Sequence, residues 1–167
     1  ETLFRFVFRS LYRLHSFNGD PHPGNYLFHR GGRVTFLDFG LVKHFSDDEM
    51  HTFIGMVKAA AYDHDVHEFR RILETAGMLR EGCPAPDPEV GEYFSQFYES
   101  VRTDREVTWS SDYASRIVRH TFDRTSPIAQ YATVPKAFVF IQRINLGLYA
   151  LLGELRATGN YRRIAEE

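Results

Sequence analysis

The chain has 167 residues, a formal net charge of -2 from 20 Lys+Arg and 22 Asp+Glu, and 15% aromatic side chains. A chain of about 150 residues buries roughly 70% of its unfolded surface, so one globular domain with a substantial core is expected. The balanced charge argues against a nucleic-acid partner, and the single cysteine, Cys83, excludes a disulfide scaffold.

The first segment reads as an amphipathic helix. Apolar residues from Leu3 to His15 recur at helical spacing, and arginines follow every fourth position on another face. We interpret the arginines as a charged outer face, with contact to phosphate or anionic lipid as the alternative. They are Arg5, Arg9 and Arg13.

A β-hairpin is predicted next. Two short apolar runs, 26–28 and 34–37, flank a segment that contains Gly31 and Gly32. No other segment has a clear strand pattern.

Helices are predicted for most of the remaining chain. Ser46 and Glu49 form a capping box at the start of one predicted helix. Asp65 can cap the start of the next helix in the same way, and Gly77 suits the end of that helix. Prolines between 84 and 88 predict a surface connection, and Trp109 is placed in a loop. The most regular pattern, from Ala137 to Leu155, predicts the core helix. The predicted helices cover 3–15, 46–62, 65–77, 90–101, 113–122 and 137–155.

No apolar run approaches the roughly 18 residues expected of a membrane span. We therefore expect a cytoplasmic location, with membrane association as an alternative. The chain begins at Glu1 without Met and enters a helical pattern at once. This start predicts a piece of a longer polypeptide.

The segment 18–25 carries the first chemical signal. It reads Asn-Gly-Asp-Pro-His-Pro-Gly-Asn, in which prolines and glycines fix the backbone around polar side chains. The position of His22 inside this rigid loop predicts a role in the site. The segment 36–40 places Asp38 within an apolar run, where an unpaired charge would be costly, so Asp38 is expected to have a partner.

The hairpin between these two segments would bring Asp20, Asn25 and Asp38 together at its open end. Hard oxygen ligands of this kind suit Mg²⁺, which completes its shell with water and phosphates. Protein kinases have an Asp and an Asn at this spacing in the catalytic loop, followed by Asp-Phe-Gly. Here Asp38 begins an intact Asp-Phe-Gly. The combination predicts metal-dependent phosphoryl transfer.

The sequence resembles the AarF/UbiB-type atypical kinase family. The resemblance is carried by Gly-Asp-Pro-His-Pro-Gly-Asn at 19–25, by Leu-Asp-Phe-Gly at 37–40, and by the helical stretches that follow. It implies a mainly α protein-kinase-like C-terminal lobe with a small β-hairpin, over residues 1–167. The N-terminal lobe would be absent from this chain. The lobe would comprise a catalytic loop (18–25), a metal-binding motif (38–40) and a helical subdomain (46–160).

The resemblance also implies functions for single residues. Asp20 would be the catalytic aspartate, with His22 beside it, and Asn25 and Asp38 would bind the metal. Asn25, Asp38 and Gly40 would contact the cofactor. The implied cofactors are Mg and ATP. The family is associated with isoprenoid quinone (ubiquinone) biosynthesis or lipid homeostasis, so an unknown small-molecule or lipid-like acceptor and peripheral membrane or quinone-biosynthesis partners are expected.

Several positions depart from the pattern. Asn18 stands where these families have histidine, so the bond that braces the loop is either made differently or missing. His22 stands where many protein kinases have a lysine that neutralises the phosphate. The capping box at Ser46 leaves no room for a long activation segment, which argues against a peptide substrate. Neither a Gly-rich phosphate loop nor a strand lysine precedes the site, so this chain alone is expected to bind ATP poorly.

Two other functions stay open. An aminoglycoside- or choline-kinase-like phosphotransferase shares the Asp-to-Asn loop, although Pro-His-Pro-Gly and the intact Asp-Phe-Gly favour the first interpretation. A pseudokinase that binds nucleotide without turnover is the third reading, and Asn18 is its main support. A zinc site at His64 and His67 is not assigned, because the same residues suit the start of a helix.

Overall fold

Helix α1 (Thr2–Leu14) lies beneath the loops that carry the predicted chemistry. The computed structural model describes residues 1–18, 20 and 22–167. The helix buries the apolar face that its sequence predicts, with Phe4 and Leu11 almost inaccessible to solvent. It ends at His15, whose left-handed backbone turns the chain into the first strand. The first predicted helix is therefore confirmed.

Four short strands follow α1 as two antiparallel ladders, one inside the other. Strand β1 (Ser16–Asn18) pairs with β4 (Val42–His44), and β2 (Tyr26–Phe28) pairs with β3 (Val34–Phe36). The inner ladder is the predicted hairpin. The outer ladder was not predicted, because three-residue strands are too short to show a recognisable alternation of apolar and polar residues.

Helix α2 (Asp47–Val57) begins at the predicted capping box. The Glu49 N–H donates to Ser46 Oγ at 3.2 Å, and the Ser46 N–H donates to Glu49 Oε2 at 2.9 Å. The prediction of one helix to Tyr62 needs a correction, since the chain continues as a five-residue π-helix (Lys58–Tyr62). Its three alanines are buried, and their small side chains let the wider turn pack closely against its neighbours.

The second half of the chain is almost entirely helical. The helices lie close to their predicted positions, except that the predicted 90–101 helix begins earlier and finishes as a 3₁₀ turn (Gln96–Val101). A third ladder, also not predicted, joins two strands of only two residues each. The elements are α3 (Val66–Thr75), α4 (Asp87–Ser95), β5 (Val107–Thr108), α5 (Ser111–Phe122), α6 (Lys136–Glu154), β6 (Thr158–Gly159) and α7 (Tyr161–Ala165).

The main core forms where α1, α2, α6 and α7 meet. Trp109 lies in a loop, as predicted, but it is completely buried and its ring stacks on Tyr149 at 4.5 Å. Helix α6 approaches the start of α5 so closely that a Cβ on Gly153 would lie 2.9 Å from the Ser110 carbonyl oxygen. The predicted core helix is confirmed for the C-terminal half of α6, where Leu148 is 1% exposed.

A second apolar cluster lies between α3, α4 and the buried wall of the π-helix. Phe138 at the start of α6 packs against both clusters and joins them. The molecule is mainly helical with small sheets, as expected. The division into a catalytic loop, a metal-binding motif and a helical subdomain stays a prediction. Within the described ranges, no helix is both long and apolar enough to cross a bilayer.

Truncation of Leu148 tests the core. Leu148→Ala removes a side chain that is 1% exposed and should lower the free energy of unfolding by about 2–5 kcal/mol, because it leaves a cavity. Leu155→Ala is the matched control near the end of the same helix, where the leucine is 48% exposed and its loss should cost far less. Urea unfolding followed by circular dichroism measures both. Equal losses would contradict the assigned packing.

The contact between His67 and Asp87 predicts a pH-dependent effect. His67 Nδ1 lies 2.9 Å from Asp87 Oδ2, and this hydrogen bond is the main reason that the pKa of His67 is raised above 6.5. A raised histidine pKa stabilises the fold below the unfolded-state pKa, and the contribution disappears as the pH rises through the folded-state pKa. Asp87→Asn should lower the pKa of His67, measured by NMR titration of the imidazole protons. An unchanged pKa would show that Asp87 is not the cause.

Candidate functional site

The two predicted site segments lie between the outer and the inner ladder. In the outer ladder Asn18 pairs with Val42, and in the inner ladder Tyr26 pairs with Phe36. The Leu37 N–H donates to the Asn25 carbonyl at 2.9 Å and extends the inner pairing by one residue. Because both ladders are antiparallel, the segment before β2 and the segment after β3 are held side by side.

Asp20 and Asn25 are in direct contact. The Asn25 Nδ2 amide donates to Asp20 Oδ2 at 3.2 Å and to the Asp20 carbonyl at 3.4 Å. Both residues are half-buried. The bonds use the nitrogen end of the Asn25 amide, so its oxygen is left available as a ligand or acceptor.

Asn18 joins the two segments through one side chain. Its Nδ2 donates to the Asp38 carbonyl at 2.7 Å, and its Oδ1 accepts from the Asp20 N–H at 3.3 Å. The sequence left open whether the bond that histidine makes in related families would be replaced or lost. The structure shows a replacement, because the Asn18 amide bonds to both segments at once.

Asp38 is held by the glycine that follows it in the motif. The Gly40 N–H donates to Asp38 Oδ1 at 2.7 Å, and a Cβ on Gly40 would lie 3.1 Å from the same oxygen. Asp38 was expected to need a partner because it lies within an apolar run of the sequence, and the partner that the structure shows is this backbone N–H. Asp38 is exposed, and its neighbours Leu37 and Phe39 are 54% and 53% exposed.

His22 supports the loop from its exposed side. Its Nδ1 accepts from the Gly24 N–H at 3.0 Å, and its carbonyl accepts from the Asn25 N–H at 2.9 Å. These bonds cap a 3₁₀ turn (Pro23–Asn25). A neutral imidazole that accepts at Nδ1 has its proton on Nε2, so this N–H is directed away from the turn.

Aromatic packing fixes the hairpin on α1. Phe36 stacks on Phe6 at 3.9 Å, and Tyr26 packs against Phe36 at right angles, 5.6 Å away. Burial raises the pKa of Tyr26, and the negative charge of Asp20 raises it further. Phe39 contacts Phe6 by its edge at 6.3 Å, so the Asp-Phe-Gly motif also touches α1.

The donor set consists of two carboxylates and one amide oxygen. Oxygen donors with few protein ligands are what Mg²⁺ takes beside phosphate groups, so these residues fit that ion chemically. Among residues 1–18, 20 and 22–167, no cluster of three or more His, Cys, Asp or Glu residues could hold a metal ion. A metal at this place would therefore depend on Asn25 as well as on the carboxylates.

The structure places all five predicted site residues on the two adjacent segments. Asp20 and Asn25 touch, Asp38 is linked to Asp20 through Asn18, and His22 and Gly40 bond within their own segments. Their catalytic and metal-binding functions stay predictions. Sequence reasoning treated Asn18 as a departure and missed its bridging position. The available signal was an amide side chain directly before the loop.

Comparison with known proteins identifies the class. Residues 1–73 match the ABC1 atypical kinase-like domain. An uncharacterized protein from the hydrogenase 1 5′ region of Clostridium pasteurianum is 31% identical over 73 residues, which are 44% of this chain and 13% of that protein. The structure of Rv3197 from Mycobacterium tuberculosis, solved in complex with erythromycin, superposes on 99% of this chain with a TM-score of 0.74 and 22% identity.

The fold is therefore that of an atypical kinase-like protein. The match of residues 1–73 to the ABC1 atypical kinase-like domain agrees with the AarF/UbiB-type resemblance predicted from the two motifs. The chain corresponds to 41% of the Rv3197 structure and so represents part of such a fold.

Substitution of Asn18 tests the bridge between the segments. Asn18→Leu removes both the donor to the Asp38 carbonyl and the acceptor of the Asp20 N–H, so the free energy of unfolding should fall by about 1–2 kcal/mol. The Asp20 N–H should also exchange faster with solvent. Urea unfolding and hydrogen exchange by NMR provide the two measurements.

Thr35→Val is the control for this prediction. It removes a side-chain bond to His29 on the same hairpin, 2.9 Å long, without touching either site segment. It should leave exchange at Asp20 unchanged. If Asn18→Leu also leaves that exchange unchanged, the bridge does not hold the loop.

Proposed function

We propose that this chain is the metal-binding and catalytic part of an atypical kinase of the ABC1 type, a phosphotransferase or ATPase that uses Mg and ATP. The observation that carries the proposal is the shared bonding of four residues. Asn25 bonds to the Asp20 carboxylate, and Asn18 ties the Asp20 backbone to that of Asp38. Such preorganisation is what phosphoryl transfer requires of the protein.

Each residue has a distinct task in this proposal. Bound Mg–ATP would supply the phosphoryl group together with the charge that stabilises its transfer. Asp38 and Asn25 would hold the metal through their oxygens, while Gly40 keeps the Asp38 carboxylate in place. Asp20 would orient the acceptor hydroxyl or water and take its proton. The Asn25 amide keeps that carboxylate from turning away from the acceptor.

His22 has a supporting task. Its Nδ1 is engaged by the Gly24 N–H, so the Nε2 proton is the group that could meet a phosphate oxygen. A neutral imidazole donates one hydrogen bond there and offers no full positive charge. This difference favours slow turnover over the rapid phosphorylation of proteins.

The acceptor is proposed to be small. Strand β4 begins directly after the Asp-Phe-Gly motif, and α2 begins at Asp47. The intervening chain is already used in the outer ladder, so it offers no segment on which a peptide could dock. Water or a small-molecule or lipid-like hydroxyl fits this arrangement better.

The cellular setting follows from the family resemblance alone. It suggests a link to isoprenoid quinone (ubiquinone) biosynthesis or lipid homeostasis, with partners in quinone biosynthesis or at a membrane surface. A cytoplasmic location with peripheral membrane contact is proposed. The acceptor, the pathway and the partners are open to direct measurement.

A pseudokinase is the second candidate. Asn18 in place of histidine favours it, because the loop is braced here by a different side chain from the one that these families have. In that case the full-length protein should bind Mg–ATP without releasing phosphate. Calorimetric titration with Mg–ATP and a phosphate-release assay on the same preparation separate the two candidates.

Charge-removing substitutions test the assigned tasks in the full-length protein. Asp38→Asn should abolish Mg-dependent phosphate release and weaken Mg–ATP binding, because it removes a metal ligand. Asp20→Asn should keep Mg–ATP binding but lower turnover about 10²–10⁴-fold, as expected from the loss of a general base.

Asp48→Asn serves as the control. Asp48 is an exposed aspartate in the first turn of α2, where Asp47 and Glu49 retain the negative charge. It should leave binding and turnover unchanged. Unchanged phosphate release in Asp38→Asn would refute the metal-binding task, and lost nucleotide binding in Asp20→Asn would refute the division between the two aspartates.

A further inference from the structure

An apolar cavity lies away from the candidate phosphoryl-transfer site. It opens between α1, α2, α6 and the 3₁₀ turn at 96–101, and it has a volume of about 100 Å³. None of Asp20, Asn25 and Asp38 lines it. One water molecule needs about 10–15 Å³ of such volume, so this space is several-fold larger than a packing defect the size of one water.

The wall of the cavity is mainly apolar and rich in aromatic side chains. Rings from all four surrounding elements face it, among them Phe4, Phe53, Phe97 and Phe138. Within the described part of the chain, no charged side chain lines the cavity. A dry cavity forfeits dispersion contacts along its wall, and an apolar occupant would restore them.

A few polar groups interrupt this wall. Ser100 lines the cavity and is only 2% exposed. Burial raises the pKa of Tyr12 and Tyr98, whose phenols are therefore neutral donors at the same wall. The Tyr149 hydroxyl, in contrast, is already bonded to the Phe97 carbonyl at 2.9 Å.

The Ser100 hydroxyl can donate a hydrogen bond to a ligand that enters the cavity. Asn145 and Gln142 on α6 also line the cavity and offer further neutral donors and acceptors. A carboxylate or an ammonium ion would find no countercharge there and would lose its hydration. The chemistry of the wall therefore selects neutral ligands.

We propose that this cavity is a binding site for a small neutral molecule that has an aromatic ring and one hydrogen-bonding group. The ring would pack against the phenylalanines with edge-to-face contacts, and the polar group would bond to the Ser100 hydroxyl. The site is distinct from the residues proposed for phosphoryl transfer. It does not depend on whether that activity exists.

Three probes of the same shape test the charge requirement. Benzyl alcohol has the ring and a hydroxyl, benzene lacks the hydroxyl, and benzoate replaces it with a negative charge. Calorimetric titration and NMR chemical shifts of the α1 and α6 amides should show that benzyl alcohol binds most tightly, benzene more weakly, and benzoate at least about tenfold more weakly than the alcohol. Benzoate binding as tight as the alcohol, or no binding of either neutral probe, would overturn the proposal.

Three variants locate the binding. Ile141→Trp fills the cavity from α6 and should abolish binding of both neutral probes, whereas Val139→Trp adds the same ring on the exposed side of that helix and should change nothing. Ser100→Ala keeps the cavity and should weaken benzyl alcohol about threefold to tenfold without changing benzene.

If Ile141→Trp does not fold, the Ser100→Ala variant still tests whether the ligand binds in this cavity. Equal binding of benzyl alcohol by the unmodified protein and by Ser100→Ala would contradict the proposed hydrogen bond. Unchanged binding by a folded Ile141→Trp protein would place the ligand elsewhere.

Discussion

The pairing of β1 with β4 is the constraint on which the candidate site depends. It closes the chain around the inner hairpin, so the loop that follows Asn18 and the motif that precedes Val42 must share one small volume. Within this frame, one amide is enough to bond to both segments. Without the outer ladder, Asp20 and Asp38 would be linked only through the hairpin, and each loop could move independently.

The ladders depend in turn on α1. They bury little surface of their own, and Leu27, Phe28 and Phe39 are about half exposed. Isolated two-stranded sheets are marginally stable in water, so the stacking of Phe36 on Phe6 supplies much of the support. Because α1 packs on the core, its rigidity is passed to the loops through that aromatic contact. The site thus combines exposed polar groups with a well-packed base.

The sequence was sufficient to predict features that have a regular apolar repeat or that depend on capping and turn residues. Helical periodicity predicted the major helices, the capping box located the start of α2, and the Gly pair located the hairpin turn. The short outer strands escaped because neither the length nor the pattern of three residues identifies a ladder. The bridging position of Asn18, the exposure of Asp38 and the burial of Trp109 depend on neighbours distant in sequence, which no local pattern records.

The packing of α1 against α7 has a consequence for synthesis on the ribosome. Chains emerge from the N-terminus at about 5–20 residues per second, so the loops and ladders appear before the helices that follow them. Phe4 of α1, however, packs on Tyr161 at 4.8 Å, near the other end of this chain. The platform beneath the candidate site therefore stays incomplete for several seconds after the loops leave the exit tunnel. During that interval the nascent chain exposes an aromatic surface that chaperones are suited to cover.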